Sequence, residues 1–181
     1  MLEFAKLHEE ELRNIAYKVL LDPKYDYYNL GYFSIPEIPD NDWNYIKRVS
    51  YKYRVLGYFS AGVDRNNGII SSLAVWSCAS DYKEYKEFEK DLLDFWLHIS
   101  NFFSSIHFSV VIGNPVQKKY RQFIKAVGGN IVGVTHKTAL IKGELRDEEL
   151  YEVIVTPETK DRIKKLRERF KYGSRRKSKS I

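Results

Sequence analysis

Few residues of this chain have the types and spacing for chemistry, and they gather around one segment. From Ser109 to Gly129 the sequence SVVIGNPVQKKYRQFIKAVGG runs from an apolar strand into Asn114-Pro115, then into a short amphipathic helix stopped by Gly128-Gly129. That order puts a polar turn at the end of a strand, where a sheet can open to hold a ligand. Asn114 reads as the helix N-cap, Pro115 as the first helical residue and Gln117 as the far partner of a capping box. His107 and His136 fall on predicted strands, where a histidine is more often packed or exposed than catalytic. The single cysteine, Cys78, can form neither an internal disulfide nor a cysteine-based metal site, and no metal is expected. Its solitude favours a reducing compartment, and a buried structural thiol is its plain role.

The composition bounds what surrounds these residues. With 181 residues, 44% of them hydrophobic and 15% aromatic, the chain can bury one substantial core. Its formal net charge of +6 suggests a polyanion partner until it is divided along the sequence. From Lys160 to Ile181 there are eleven Lys and Arg against Asp161 and Glu168, a net +9, and the remainder carries −3. The basicity belongs to the tail. No segment approaches the roughly 20 apolar residues that span a bilayer, and the N-terminus lacks the apolar core of a secretory signal. A soluble, cytoplasmic protein without a membrane partner is expected.

Elements can be assigned around the candidate turn. Leu2, Phe4 and Leu7 suggest an opening strand, and residues 8–21 place Leu12, Ile15, Ala16, Val19 and Leu20 on one helical stripe. The segment from Lys24 to Tyr45 is rich in Tyr, Asp, Asn and Pro and shows little periodicity. From Arg48 the pattern is strand-like, with Asn67-Gly68 supplying positive φ angles for a hairpin between Gly57 to Val63 and Ile69 to Cys78. Phe59, Ala61 and Val63 share one face, and Leu73 to Trp76, apolar on both faces, belongs mid-sheet. A long helix follows over residues 83–103, then a strand over 107–112, a helix over 116–127 and strands over 131–141 and 150–155 joined by KGELRDEE. Thr156-Pro157-Glu158 starts a last helix whose narrow stripe of Ile163, Leu166 and Phe170 is expected to dock loosely.

Written in order, GYFSAGVDRNNGIISSLAVWSCAS, the aromatic helix, VVIGNPVQKKYRQFIKAVGGNIVGV and LYEV resemble the GNAT superfamily of acetyl-CoA-dependent N-acyltransferases. The likeness is nearest to the divergent short GNAT proteins of bacteria and their phages. It covers residues 2–155, so the expected organisation is a GNAT-like domain over 1–155 and a basic tail over 156–181. The resemblance implies an α/β (α+β) fold with a mixed, mostly antiparallel sheet, splayed central strands and helices on both faces. An acyl-pantetheine arm would pair with the splayed edges near Leu73, Val75, Trp76, Ser77 and Cys78, bordered by Asn114. The pyrophosphate of acetyl-CoA would sit on the start of the following helix, ASDYKEYK, with Lys83 and Lys86 supplying charge. Tyr120 would be the general acid that protonates the departing thiolate.

The chain also departs from that family. The usual Gln/Arg-x-x-Gly-x-Gly/Ala loop is missing and residues 79–86 contain no glycine, so close approach of a diphosphate to the backbone is harder. An equally concrete reading has Ser80 or Asp81 capping the helix, with Lys83 and Lys86 on its solvated face. Tyr120 lies six residues after Asn114 and eight before Gly128, on the apolar stripe, which also suits core packing. No general base is singled out. Ser71 and Ser72 stand where the family sometimes places one, but a hydroxyl is a poor base. The alternative function is a degenerate GNAT scaffold that binds nucleic acid or another acidic partner through Arg167, Arg169, Lys171, Arg175, Arg176 and Lys177. A third is a phage protein that keeps the fold without a ligand. The acidic and aromatic 24–45 segment would suit a cationic or amine-bearing acceptor, and a solvated packing loop explains it as well.

Overall fold

A computed structural model describes residues 1–21 and 41–173. A seven-stranded sheet runs in the order β1-β2-β3-β4-β5-β7-β6, built from β1 (Leu2–Phe4), β2 (Tyr45–Tyr51), β3 (Val55–Asp64), β4 (Ile69–Ser77), β5 (Ser105–Val111), β6 (Asn130–Ile141) and β7 (Glu144–Ile154). Every pairing is antiparallel except β4 with β5. A 3-10 turn (Ala5–His8) leads into α1 (Glu9–Leu21), and α2 (Tyr82–Ser100), α3 (Gln117–Val127) and α4 (Pro157–Gly173) follow. No helix among the described residues is long and apolar enough to cross a membrane.

The two faces of the sheet carry different cores. On one, Phe59 stacks on Phe88 and Phe95 at 5.2 and 5.3 Å between ring centroids, and Trp96 meets Phe108 and Phe123 edge-on. This face buries α2, α3 and α4 around Ile70, Ile106, Ile124 and Val153. The other face packs α1 through Leu12 onto Val49, Val55 and Trp76. The expected alternation of Phe59 and Ala61 toward one face is observed, both being fully buried.

The strand-like stretch after Arg48 divides in two. Residues 52–54 form a turn, so Tyr45–Tyr51 is a strand of its own between β1 and β3. It carries Lys47, Arg48 and Ser50 as buried polar residues. Arg48 is satisfied by the Asp42 carboxylate and lies 4.0 Å over the Phe4 ring, and Ser50 Oγ donates to Asp91 at 2.7 Å. The hairpin between β3 and β4 has four residues, of which only Gly68 has positive φ (66°); the Asp64 carboxylate accepts the Asn67 backbone and side-chain N–H groups instead. KGELRDEE is not a long connection. Lys142 and Gly143, with φ 51° and 79°, make the turn, and β7 starts at Glu144. Helix α4 docks firmly: Ile163 is fully buried and Arg167 pairs with Asp94.

Candidate functional site

β4 and β5 pair for only two residues, Ile69 with Ser105 and Ile70 with Ile106, and then part. A bulge marks the point of departure. Gly62 of β3 faces Ser72 and Val63 faces Ile70, leaving Ser71 as an extra residue in β4. A bulge bends its strand and increases its twist, which turns β4 away from β5. Beyond it the β5-facing edge of β4, residues 71–77, has no strand partner among the described residues. Leu73 and Val75, central in the sheet, are therefore only partly buried.

The wedge opens a cavity of about 940 Å³, within the range of ligand pockets. Its wall on the helical face is apolar, formed by Leu73, Val75, Phe88, Leu92, Trp96 and Phe123. On the opposite face β5 presents His107 and Ser109 to the same space, beside Glu148 of β7. His107 Nε2 lies 3.5 Å from Glu152 Oε1, and Ser109 Oγ donates to Glu148 Oε1 at 2.9 Å. Where the first turns of α2 and α3 meet at the cavity, Lys119 Nζ donates to Tyr85 Oη at 2.9 Å and sits 4.5 Å from the ring centroid.

Helix α3 is held in place from β7. Arg121 donates Nε to Glu149 Oε2 at 2.9 Å, and Tyr151 Oη donates to the same oxygen at 2.5 Å. The Arg121 guanidinium holds the buried Glu149 carboxyl down to about 2, and burial with that carboxylate pushes the Tyr151 hydroxyl up. Tyr120, the residue before Arg121, has its ring centroid 5.9 Å from that of Phe108 and lines the cavity.

The order of elements, the single parallel contact and the wedge beyond it decide the fold. No protein-family model and no curated protein sequence matches the chain. Solved structures do. It is similar to a spermidine N-acetyltransferase from Vibrio cholerae in complex with CoA and spermine, with a TM-score of 0.64 at 15% identity over 87% of this chain and 96% of that one. It is also similar to the microcin C7 self-immunity acetyltransferase MccE in complex with acetyl-CoA and AMP, with a TM-score of 0.58 at 14% identity over 85% and 91% of the two chains. A third is the ribosomal L7/L12 alpha-N-protein acetyltransferase RimL in complex with coenzyme A, with a TM-score of 0.58 at 11% identity over 81% and 90%. The chain has the GNAT fold.

Within the GNAT fold the sequence-derived residues separate into two groups. Leu73, Val75, Trp76, Ser77, Asn114 and Tyr120 line the one cavity, Trp76 from the α1 face. Cys78, Lys83 and Lys86 do not. Cys78 packs beside Val49 and Val55 under α1, its thiol donating to the Val55 carbonyl at 3.0 Å and pushed up to about 11 by burial. Lys83 is exposed, and Lys86 pairs with Glu89 at 2.6 Å. In the tail, Arg167 is engaged by Asp94 and Arg169 is exposed. The side chain of Lys171, and Arg175, Arg176 and Lys177, lie outside the described residues, as do residues 24–40 of the 24–45 segment that was expected to shape an acceptor site.

The cap at Asn114 is displaced by two residues. α3 starts at Gln117 with Val116 as N-cap, and Asn114 Oδ1 accepts the Val116 N–H at 3.0 Å. Gln117 Oε1 accepts from Gly113 N at 3.3 Å, so the reciprocal bond closes on the residue before Asn114. Gly128, with φ 86°, ends the helix as the Gly-Gly stop implies.

Sequence reasoning offered Ser80 or Asp81 as the cap of α2 but missed Glu84. Asp81 is the cap, accepting Glu84 N at 2.8 Å, and Glu84 reaches back to accept Ser80 N and Ser80 Oγ, both at 2.8 Å. Arg54 donates to the same carboxylate at 2.6 Å and Tyr53 Oη to its other oxygen. The Ser80 amide, with Tyr53 and Arg54, holds Glu84 down to about 2. The Asp81-x-x-Glu84 spacing was the available signal, being that of a capping box with aspartate at its head.

Proposed function

We propose that the chain is an N-acyltransferase that moves an acetyl group from acetyl-CoA to an amine. The observation that carries this reading is the parting of β4 from β5 after two residues, which bares strand edges along an apolar cavity. The fit is good for the pantetheine arm and the thioester, whose amides match the unpaired edge of β4 and whose chain matches Leu73, Val75 and Phe88. CoA or acetyl-CoA accompanies the similar structures described above, which supports a CoA thioester as the donor.

The chain's own groups supply the rest of the chemistry. Free N–H groups on residues 71–77 of β4 polarise the thioester carbonyl. His107 takes the proton that the amine loses as its nitrogen bonds to the acyl carbon, and Glu152 orients the imidazole. Tyr120 gives a proton to the sulfur as the C–S bond breaks. One proton is taken and one returned, so the products are an amide and a free thiol. Because V. cholerae spermidine N-acetyltransferase was solved with spermine, polyamines are the first acceptors to try.

The test is thiol release from acetyl-CoA in the presence of polyamines and of peptides with free α-amines. Amine-dependent release supports the reading. Acetyl-CoA that neither binds nor turns over with any amine refutes it.

A further inference from the structure

We infer that this chain grips its donor by the pantetheine arm alone, so that its donor class is pantetheine thioesters whatever the phosphate end carries. The inference rests on the proposed acyl-transfer reading and concerns the first turn of α2. A diphosphate seated on a helix start needs free N–H groups, close backbone approach and a positive field. Here each of the three is curtailed.

Two of the N–H groups at this helix start are already used. Ser80 N donates to Glu84 Oε2 and Glu84 N to Asp81 Oδ1, each at 2.8 Å. The backbone is also screened, because no glycine occurs in residues 79–86. The positive field is offset, since Asp81 and Glu84 bring two carboxylates to this turn against the Arg54 guanidinium and the exposed Lys83. Glu84 is only 3% exposed and held by Ser80, Arg54 and Tyr53, so it cannot swing away without stranding them.

The nearby cations do not restore the seat. Lys86 is 2.6 Å from Glu89 and lies over the Tyr82 ring, while Lys119 is tied to Tyr85 across the cavity. Lys83 remains as a single exposed charge, which in water attracts an anion weakly. The helix start that would bind a nucleotide's diphosphate instead carries the protein's own carboxylates. What is left for recognition is the largely apolar wedge between β4 and β5.

Calorimetry on the full chain with S-acetylpantetheine and with acetyl-CoA tests this without relying on turnover. The expected result is dissociation constants within about threefold of each other, a difference smaller than one strong charge-assisted hydrogen bond provides. Adenosine 3′,5′-bisphosphate is expected not to displace either ligand. Acetyl-CoA binding about a hundredfold tighter, or displacement by the bisphosphate, overturns the inference and leaves the acyltransferase reading standing. Binding of neither thioester overturns both.

Discussion

Arg121 and Glu149 join α3 to β7 through an Nε to Oε2 hydrogen bond of 2.9 Å, and Tyr151 closes on the same carboxylate from within the strand. This fixes the rotation of α3, and with it the side of the helix on which Tyr120 meets the cavity and Lys119 reaches Tyr85.

The pair makes stability depend on acid. Glu149 is held down to about 2 when folded, below its ordinary value of 4.5. A carboxyl lowered by folding contributes fully above its unfolded value and loses that contribution as the pH falls through the folded one. Stability is therefore expected to drop between about pH 5 and pH 2, with Glu84 adding a loss in the same window. Glu149→Gln is less stable at pH 7 and shows a shallower drop, read as urea midpoints at neutral and acid pH.

Gly57 is a point of close approach rather than of unusual φ. A Cβ there would lie 2.3 Å from Phe88 Cε2 and 2.6 Å from the Trp76 backbone oxygen. The second contact is with β4 itself, so the strand bordering the wedge must move. Gly57→Ala is expected to lose about 3 kcal/mol, the upper range for overpacking, in a denaturant titration.

His107 is assigned the proton transfer from the amine. His107→Asn is expected to lower kcat by about 10²- to 10⁴-fold while calorimetric binding of S-acetylpantetheine stays unchanged. Glu152→Gln, acting through the orientation of the imidazole, is expected to give a smaller loss in kcat and the same binding. Equal loss of binding in both variants would mean that the histidine merely shapes the cavity.

Tyr120 separates chemistry from packing because phenylalanine keeps the ring. Tyr120→Phe is expected to lower kcat by about 10- to 100-fold with Tm changed by less than about 2 °C. An unaltered kcat would leave Tyr120 as a wall residue against Phe108.

Much of the scaffold was legible because its signals are local and apolar. The alternation at Phe59 and Ala61, the aromatic spacing of α2 and the Gly128-Gly129 stop all read directly as structure. β2 was obscured because it buries the polar residues Lys47, Arg48 and Ser50, and the Ser50 partner Asp91 lies far along the chain. The start of β7 was hidden by charge: Glu144, Arg146, Asp147, Glu148 and Glu149 dominate it, and Leu145, paired with Leu140, is exposed. At the site, the apolar wedge residues carried a readable signal. For Glu84 the Asp81-x-x-Glu84 spacing was readable, but its contacts with Arg54 and Tyr53 were not, because they come from about thirty residues away in sequence.

The wedge itself is tested most directly by backbone amide shifts on titration with S-acetylpantetheine. The expected result is perturbation concentrated on residues 71–77 of β4 and 107–111 of β5, the edges without strand partners. Perturbation that spares both edges, or no saturable change at all, contradicts a thioester arm lying between the parted strands.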